Sequence, residues 1–222
     1  MKADHLEQAI ETVRGKHVIV SFSGGKDSLV VMDLAVRHAA SVHAFFLELL
    51  PLTVMDAQLA IAEQRWGIPI RRLPHWLRYE YWKFGAYCFH HSEMAELRLN
   101  DLYGVIRKES GAKLIVTGAK ASDSLWRRRT GVAKFAGDDL KAPLWHWSKK
   151  DVLQYLRAKK IPQPDNDGRN ATGIDLSYPS VLWLYDNYPD DFRRLEQLYP
   201  FVGAIIKRRE WYGYSGGAKE KA

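Results

Sequence analysis

Apolar positions recur along this chain in two rhythms, and the alternation between them predicts the fold. Leu6, Ile10 and Val13 stand at helical spacing and predict a short amphipathic helix over residues 5–14, ended by Gly15. His17 to Phe22 is a compact, β-branched run of the kind a buried strand carries. Gly24-Gly25 breaks that strand, and Asp27 or Ser28 can open a helix whose apolar residues, Leu29 to Val36, cover most of its faces. Such a helix belongs against a sheet. The pattern then repeats: strands at Ser41–Leu49, Ile68–Leu73 and Lys113–Thr117, with helices at Val54–Trp66 and Ser92–Glu109 between them. Strands alternating with helices predict an α/β domain, a mostly parallel five-stranded sheet with helices on both faces.

The remaining chain is less regular. Residues 118–139 read as polar and irregular, and Pro143 to Trp147 as a short extended segment that supplies the fifth strand. Ser148 is placed to cap a helix over Lys149–Lys159. Asp165 to Gly173 is rich in Asp, Asn and Gly and reads as a loop, and Tyr178 to Arg209 as two or three short helices. The division expected is a nucleotide-binding α/β domain over 1–165, a small helical extension or lid over 166–212, and a glycine-containing tail over 213–222.

Composition narrows the classes. Of 222 residues 46% are hydrophobic and 27% charged, ordinary for a globular chain, but the net charge of +7 favours polyanionic partners such as nucleotides or nucleic acid. A single cysteine, Cys88, permits no intrachain disulfide and no four-cysteine site, so neither zinc nor an iron–sulfur cluster is expected. The N-terminus lacks a signal-peptide pattern and no apolar run is long enough to span a bilayer, so a cytoplasmic protein without a membrane partner is expected.

The chemistry is concentrated at Ser23-Gly24-Gly25-Lys26-Asp27-Ser28, where a strand turns into a helix. Glycines let backbone N–H groups approach an anion closely, and the helix N-terminus adds unpaired donors and a partial positive charge. Lys26 brings a mobile full charge, Ser23 and Ser28 bring hydroxyl donors, and Asp27 either caps the helix or helps hold a metal. The ordinary Walker loop is excluded, because the glycine it needs five residues before the Gly-Lys pair is Val20 here. A second basic cluster, Lys120, Arg127, Arg128 and Arg129, follows the fourth strand and can face the same crevice, since parallel sheets bind ligands at the carboxyl ends of their strands. The alternative for Arg128 and Arg129 is a solvated basic loop.

Ser23 to Ser28 is identical to the pyrophosphate loop of the ATP pyrophosphatase superfamily, the adenine nucleotide α-hydrolases. Within it the chain most resembles the phosphoadenosine phosphosulfate (PAPS) reductase family. Thr117 to Arg127 is similar to that family's Gly-x-Arg-x-x-acid-Ser-x-x-Arg signature, matching at Gly118, Asp123, Ser124 and Arg127, with Lys120 where arginine is usual. Lysine keeps the charge but loses bidentate geometry. Pro143 to Val152 resembles the family's Pro-Leu…Trp…Asp-Val segment, and the resemblance covers about residues 17–165. It implies a Rossmann-like, adenine nucleotide α-hydrolase-like fold that binds ATP or PAPS with Mg²⁺ through Ser23, Gly24, Gly25, Lys26, Asp27, Ser28, Gly118, Lys120, Asp123, Ser124 and Arg127. Lys26 and Arg127 stand as the charge-stabilising catalytic pair, and Asp123 as a metal or ribose partner.

The resemblance breaks at the reductase's nucleophile. A reductase of this family attacks with a cysteine near its C-terminus, where this sequence reads Trp211-Tyr212-Gly213-Tyr214-Ser215. Cys88 is either a sulfur carrier activated by its neighbours or a buried small apolar residue. The adjacent His90 and His91 point about 100° apart on a helix and do not converge on one metal. Trp76, Tyr79, Tyr81, Trp82 and Phe84 form either a stacking platform for a base or part of the packed interior. Reduction of PAPS is therefore not expected. Three functions stay open: cleavage of ATP between its α- and β-phosphates with adenylyl transfer, nucleotide binding without turnover beside a protein or nucleic-acid partner, and a part in sulfur modification of DNA or RNA.

Overall fold

Fifteen elements are described in the computed structural model, which covers residues 3–162 and 175–213. In chain order they are α1 (Ala3–Val13), β1 (His17–Ser21), α2 (Lys26–His38), β2 (Ser41–Glu48), α3 (Thr53–Trp66), β3 (Ile70–Pro74), α4 (Trp76–Phe84), α5 (Leu99–Ser110), β4 (Leu114–Thr117), α6 (Leu125–Lys134), β5 (Leu140–Lys141), α7 (Lys149–Ala158), α8 (Tyr178–Asn187), α9 (Pro189–Leu198) and α10 (Gly203–Tyr212). They belong to two compact units. One comprises Met1–Leu47, Gln58–Leu73 and Leu99–Asp165; the other comprises Glu48–Ala57, Pro74–Arg98 and Asn166–Ala222, each over its described residues.

The first unit holds the sheet, in the order β3-β2-β1-β4-β5. β1 is central: Val18 pairs in parallel with Val42 of β2 on one side and with Leu114 of β4 on the other. β4 pairs in parallel with β5 through Ile115 and Leu140. This α/β, Rossmann-like sheet is as the sequence predicts. Val18, Ile19, Val20, Ile115 and Val116 are fully buried, which explains the unbroken apolar runs of β1 and β4: both faces are covered by helices. The chain winds from β1 outward to β3 and then returns across β1 to β4. Right-handed crossovers in those opposite directions set helices on opposite faces, and the crevice between β1 and β4 is the switch point where open α/β sheets hold ligands.

α2 buries Ser28 to Ala35 without interruption, including Asp33. That carboxylate accepts hydrogen bonds from Arg37 Nε (2.7 Å), the Tyr155 hydroxyl (2.8 Å) and Trp66 Nε1 (3.2 Å), so one buried acid ties α2 to α3 and α7. Burial opposes its charge, yet the Arg37, Tyr155 and Trp66 donors prevail and hold its carboxyl below the usual range. Nothing in the helical pattern signals this acid as a hub.

In the second unit, α8, α9 and α10 pack through ring contacts such as Trp183 on Tyr188 and Tyr185 on Phe192, with Arg209 paired to Asp186. Buried Asp191 accepts from the Thr53 and Val54 backbone N–H groups and from the Thr53 hydroxyl, closing the start of α3. α4 ends in a left-handed Gly85 and begins at His75, whose Nδ1 accepts from the Leu77 N–H at 3.1 Å.

Several expected elements are corrected. The helix expected over 92–109 begins only at Leu99, because the side chains of residues 92–97 are largely exposed and give a helix nothing to pack, whereas Leu102, Tyr103 and Ile106 are buried. The irregular reading of 118–139 misses α6, a helix capped by Ser124 and rich in arginine, which favours helix. The fifth strand is Leu140–Lys141, not Pro143–Trp147, where Trp145 and Trp147 N–H groups bond back to Ala142 and Leu144 carbonyls as turns. α4 was unforeseen. The expected loop at Asp165–Gly173 and residues 214–222 of the expected tail lie outside the described residues.

Candidate nucleotide site

β1 ends at Ser21, and Phe22 makes one more parallel bond, its N–H to the Phe45 carbonyl at 2.9 Å, before the chain leaves the sheet. Gly24 then takes φ 75°, a left-handed turn that a side chain would strain. Gly25 is the extended N-cap of α2, and no side chain bonds to that helix start as a cap. The hydroxyls of the loop turn inward: Ser28 Oγ donates to the Gly25 carbonyl at 2.8 Å and Ser23 Oγ to Ser28 Oγ at 3.2 Å. The serines thus hold the loop's shape around the helix N-terminus, which carries the positive end of the helix dipole.

The loop after β4 closes on this turn. A Cβ on Gly118 would lie 3.0 Å from Asp27 C and Cβ and 3.1 Å from Ser28 N, so only glycine lets the two backbones approach so closely. Two residues on, the Lys120 side chain, 3% exposed, sets its ammonium 2.6 Å from Asp27 Oδ2 and 2.9 Å from Asp123 Oδ1. Asp123 Oδ2 accepts from the Lys120 N–H at 3.0 Å and from Arg127 Nη1 at 2.7 Å. Lys26 Nζ stands 3.4 Å from Asp27 Oδ2. Burial works against the Asp123 charge, but Lys120 and Arg127 outweigh it and keep the carboxyl below its ordinary range.

Five of the residues expected at the site, Lys26, Asp27, Lys120, Asp123 and Arg127, therefore form one chain of charge at the carboxyl ends of β1 and β4. Lysine at 120 suits this place: a compact ammonium reaches two carboxylates from different elements, where a guanidinium presents a planar fork. Asp27 Oδ1 is buried without a hydrogen-bond partner among the described residues. Ser124 has a separate task, its Oγ accepting from the Arg127 N–H at 3.0 Å as the cap of α6.

The Pro143–Val152 segment braces this loop. Ala121 N–H bonds the Trp145 carbonyl at 3.0 Å and Ser122 Oγ the Trp147 carbonyl at 3.0 Å. Trp147 is buried and donates Nε1–H to the His5 carbonyl, and Ser148 and Asp151 form a reciprocal capping box on α7. A small apolar cleft of about 80 Å³ opens beside Gly24, walled by Leu29, Ile61, Trp66 and Ile161. The Pro143–Val152 segment and the Ser148 cap are legible in the sequence, whereas the Asp33 hub and the bonds from Ala121 and Ser122 are not.

Other candidates fall elsewhere. Cys88 is buried, its thiol donates toward the Tyr81 carbonyl at 3.5 Å, and burial pushes its pKa up, which favours the inert reading. Tyr79, Tyr81, Trp82 and Phe84 lie on α4 in the second unit, where Tyr79 meets Trp82 edge-on and Phe84 is exposed. His90 and His91 are exposed, and no group of three or more His, Cys, Asp or Glu side chains converges among the described residues. No helix among the described residues is long and apolar enough to cross a membrane.

A strand-to-helix glycine turn, closed at the sheet's switch point by a second strand end, defines a nucleotide-binding α/β protein of the pyrophosphate-loop kind. The chain belongs to the phosphoadenosine phosphosulfate reductase domain family, whose sequence profile matches residues 17–165. No curated protein matches the chain significantly. Among solved structures it is similar to an NH3-dependent NAD synthetase from Campylobacter jejuni, at 12% identity and TM-score 0.49 over 95% of this chain and 92% of that one. It is also similar to a PAPS reductase from Candida auris in a phosphate complex, at 14% identity and TM-score 0.46 over 73% of this chain and 81% of that one. A third likeness is to the U34-tRNA thiolase NcsA from Methanococcus maripaludis, at 16% identity and TM-score 0.43 over 91% and 78%.

The thiolase corrects one expectation. Its structure is described with its [4Fe-4S] cluster, so the cofactor set expected from the sequence, nucleotide and Mg²⁺ with no cluster, does not stand. Cys88 is this chain's one thiol, and it is buried.

Proposed function

We propose that this protein is an adenine-nucleotide enzyme that cleaves ATP between its α- and β-phosphates and passes the adenylyl group to an acceptor. The observation that carries this reading is the Lys120 bridge from Asp27 to Asp123, which joins the pyrophosphate loop to the signature loop at one crevice. In this reading the backbone N–H groups at the start of α2 and the Lys26 ammonium hold the β- and γ-phosphates. An acceptor oxygen attacks the α-phosphorus, the bond to the bridging oxygen breaks, pyrophosphate leaves with the electron pair, and the acceptor gives up its proton to solvent. Lys26 and Arg127 stabilise the charge that gathers on the phosphoryl oxygens, the term that dominates catalysis of such transfers.

Cys88 favours this over sulfonate reduction, because a buried thiol with a raised pKa supplies little thiolate. The test is product analysis with ATP labelled at the α- or the γ-phosphate, offered with fractions of candidate acceptors. Pyrophosphate with adenylylated product or AMP supports the reading; ADP with inorganic phosphate overturns it. Binding of ATP without turnover under every acceptor fraction favours a non-catalytic nucleotide module instead.

A further inference from the structure

α6 has a face that neither the fold nor the phosphate loop uses. Its one buried residue is Gly131, packed so tightly that a Cβ there would lie 2.0 Å from Trp145 Cη2. With that side held against Trp145, the opposite side faces solvent. It carries Leu125, Trp126 and Arg129, with Leu125 71% and Trp126 74% exposed, while Val132, 67% exposed, and the exposed Arg128 stand at its edge. Helical spacing sets Trp126 beside Arg129, and Leu125 beside Arg128, Arg129 and Val132. The helix, LWRRRTGVAK, has no acidic residue, and neither Arg128 nor Arg129 has a carboxylate partner among the described residues. Arg127 alone is drawn back to Asp123.

We propose that this face of α6 is a docking surface for single-stranded nucleic acid. An indole left three-quarters in water with the Arg129 guanidinium beside it, and Arg128 at the edge of the same helix, combines the two things a single strand needs: a flat ring for a base and cations for its phosphates. A duplex keeps its bases stacked inside and offers the ring nothing. An acidic amphipathic protein is the rival occupant; it would match the apolar residues but would use Trp126 as bulk rather than as a plane. The chain's net charge of +7 has the sign a polyanion requires. Because Ser124 caps α6 directly after Asp123, a strand lying on this helix passes close to the nucleotide site within the same unit. Binding to α6 stands apart from the proposed ATP chemistry; the two meet only if the strand is also the acceptor.

The test is fluorescence anisotropy of the full chain with a mixed-sequence single strand of about 20 nucleotides, as RNA and as DNA, and with the matching duplex, across a salt series. Both single strands bind and the duplex binds more weakly, since the surface reads base faces and phosphates rather than sugars. Trp126→Ala weakens single-strand binding about tenfold, while Trp126→Phe, which keeps a ring, retains most of it. Arg128→Ala with Arg129→Ala lowers the slope of log affinity against log salt by about 1.4, two phosphate contacts at ~0.7 each. Circular dichroism melts identify any variant that has not folded, and the Trp126→Phe comparison then decides. Unchanged affinity and slope in the variants, duplex preference, or no binding at low salt overturns the proposal. So does self-association that Trp126→Ala abolishes, which would make the face an interface between copies. Turnover assays with ATP are independent, so failure of either claim leaves the other standing.

Discussion

The Lys120 ammonium lies 2.6 Å from Asp27 Oδ2, joining the loop after β4 to the first turn of α2 across the sheet's switch point. Removing it with Lys120→Met leaves two carboxylates facing each other with one fewer cation. We expect a loss of about 3 kcal/mol or more in urea unfolding, because breaking a buried pair strands the partner's charge. Adding Asp27→Asn to Lys120→Met recovers part of that loss. A double variant as unstable as the sum of the singles means that the pair is not coupled.

Gly118→Ala tests the close approach itself. The new methyl would press on the backbone of Asp27 and Ser28 at about 3 Å. Overpacking of this kind costs about 1–3 kcal/mol. The expected result is a lower melting temperature and weaker ATP binding. An unchanged melting temperature would show that the β4 loop can withdraw from α2 without cost.

His75 gives the second unit a pH signature. Burial pushes its imidazole down to about 4 from an ordinary 6.5, so the folded state holds it neutral while the unfolded chain takes up a proton. Stability is therefore complete above about pH 6.5 and declines as pH falls toward about 4, where both states carry the proton. His75→Asn keeps an N-cap for α4 and should flatten that window of the melting-temperature profile. An identical acid profile in the variant would assign the loss to other groups.

Asp33 supplies a test of the brace among α2, α3 and α7. Tyr155→Phe removes one donor and should cost about 1 kcal/mol in urea unfolding. Asp33→Ala leaves Tyr155, Arg37 and Trp66 unsatisfied and should cost more than the Tyr155→Phe change. The carboxyl's lowered pKa also means that its contribution is present above about pH 4 and lost as pH falls below that. Equal losses in the two variants would contradict the hub.

What could be read beforehand follows a physical divide. β1, β4 and α2 are buried on most sides, so their apolar periodicity is dense enough to place them, and the glycine pair marks the turn between β1 and α2. α6 and α4 were missed because they bury little: one glycine in α6 and no residue in α4. Their helical state rests on caps at Ser124 and His75, which composition obscures. The signature loop was recognisable by spacing, yet the roles of Gly118 and Lys120 are relations to Asp27, about 90 residues away in sequence, and become visible only once β1 and β4 lie side by side. Asp33 looked like an ordinary polar residue on a helix because its three partners come from three elements.

In the proposed reading the Ser23–Ser28 loop holds the phosphates of an adenine nucleotide. Calorimetric titration of ATP into the intact protein and into Lys26→Ala, with inorganic pyrophosphate as competitor, tests it most directly. Pyrophosphate should displace ATP competitively, and Lys26→Ala should lower ATP affinity by about tenfold, equivalent to ~1.4 kcal/mol. Equal affinity in the variant, with ATP undisturbed by pyrophosphate, would contradict it.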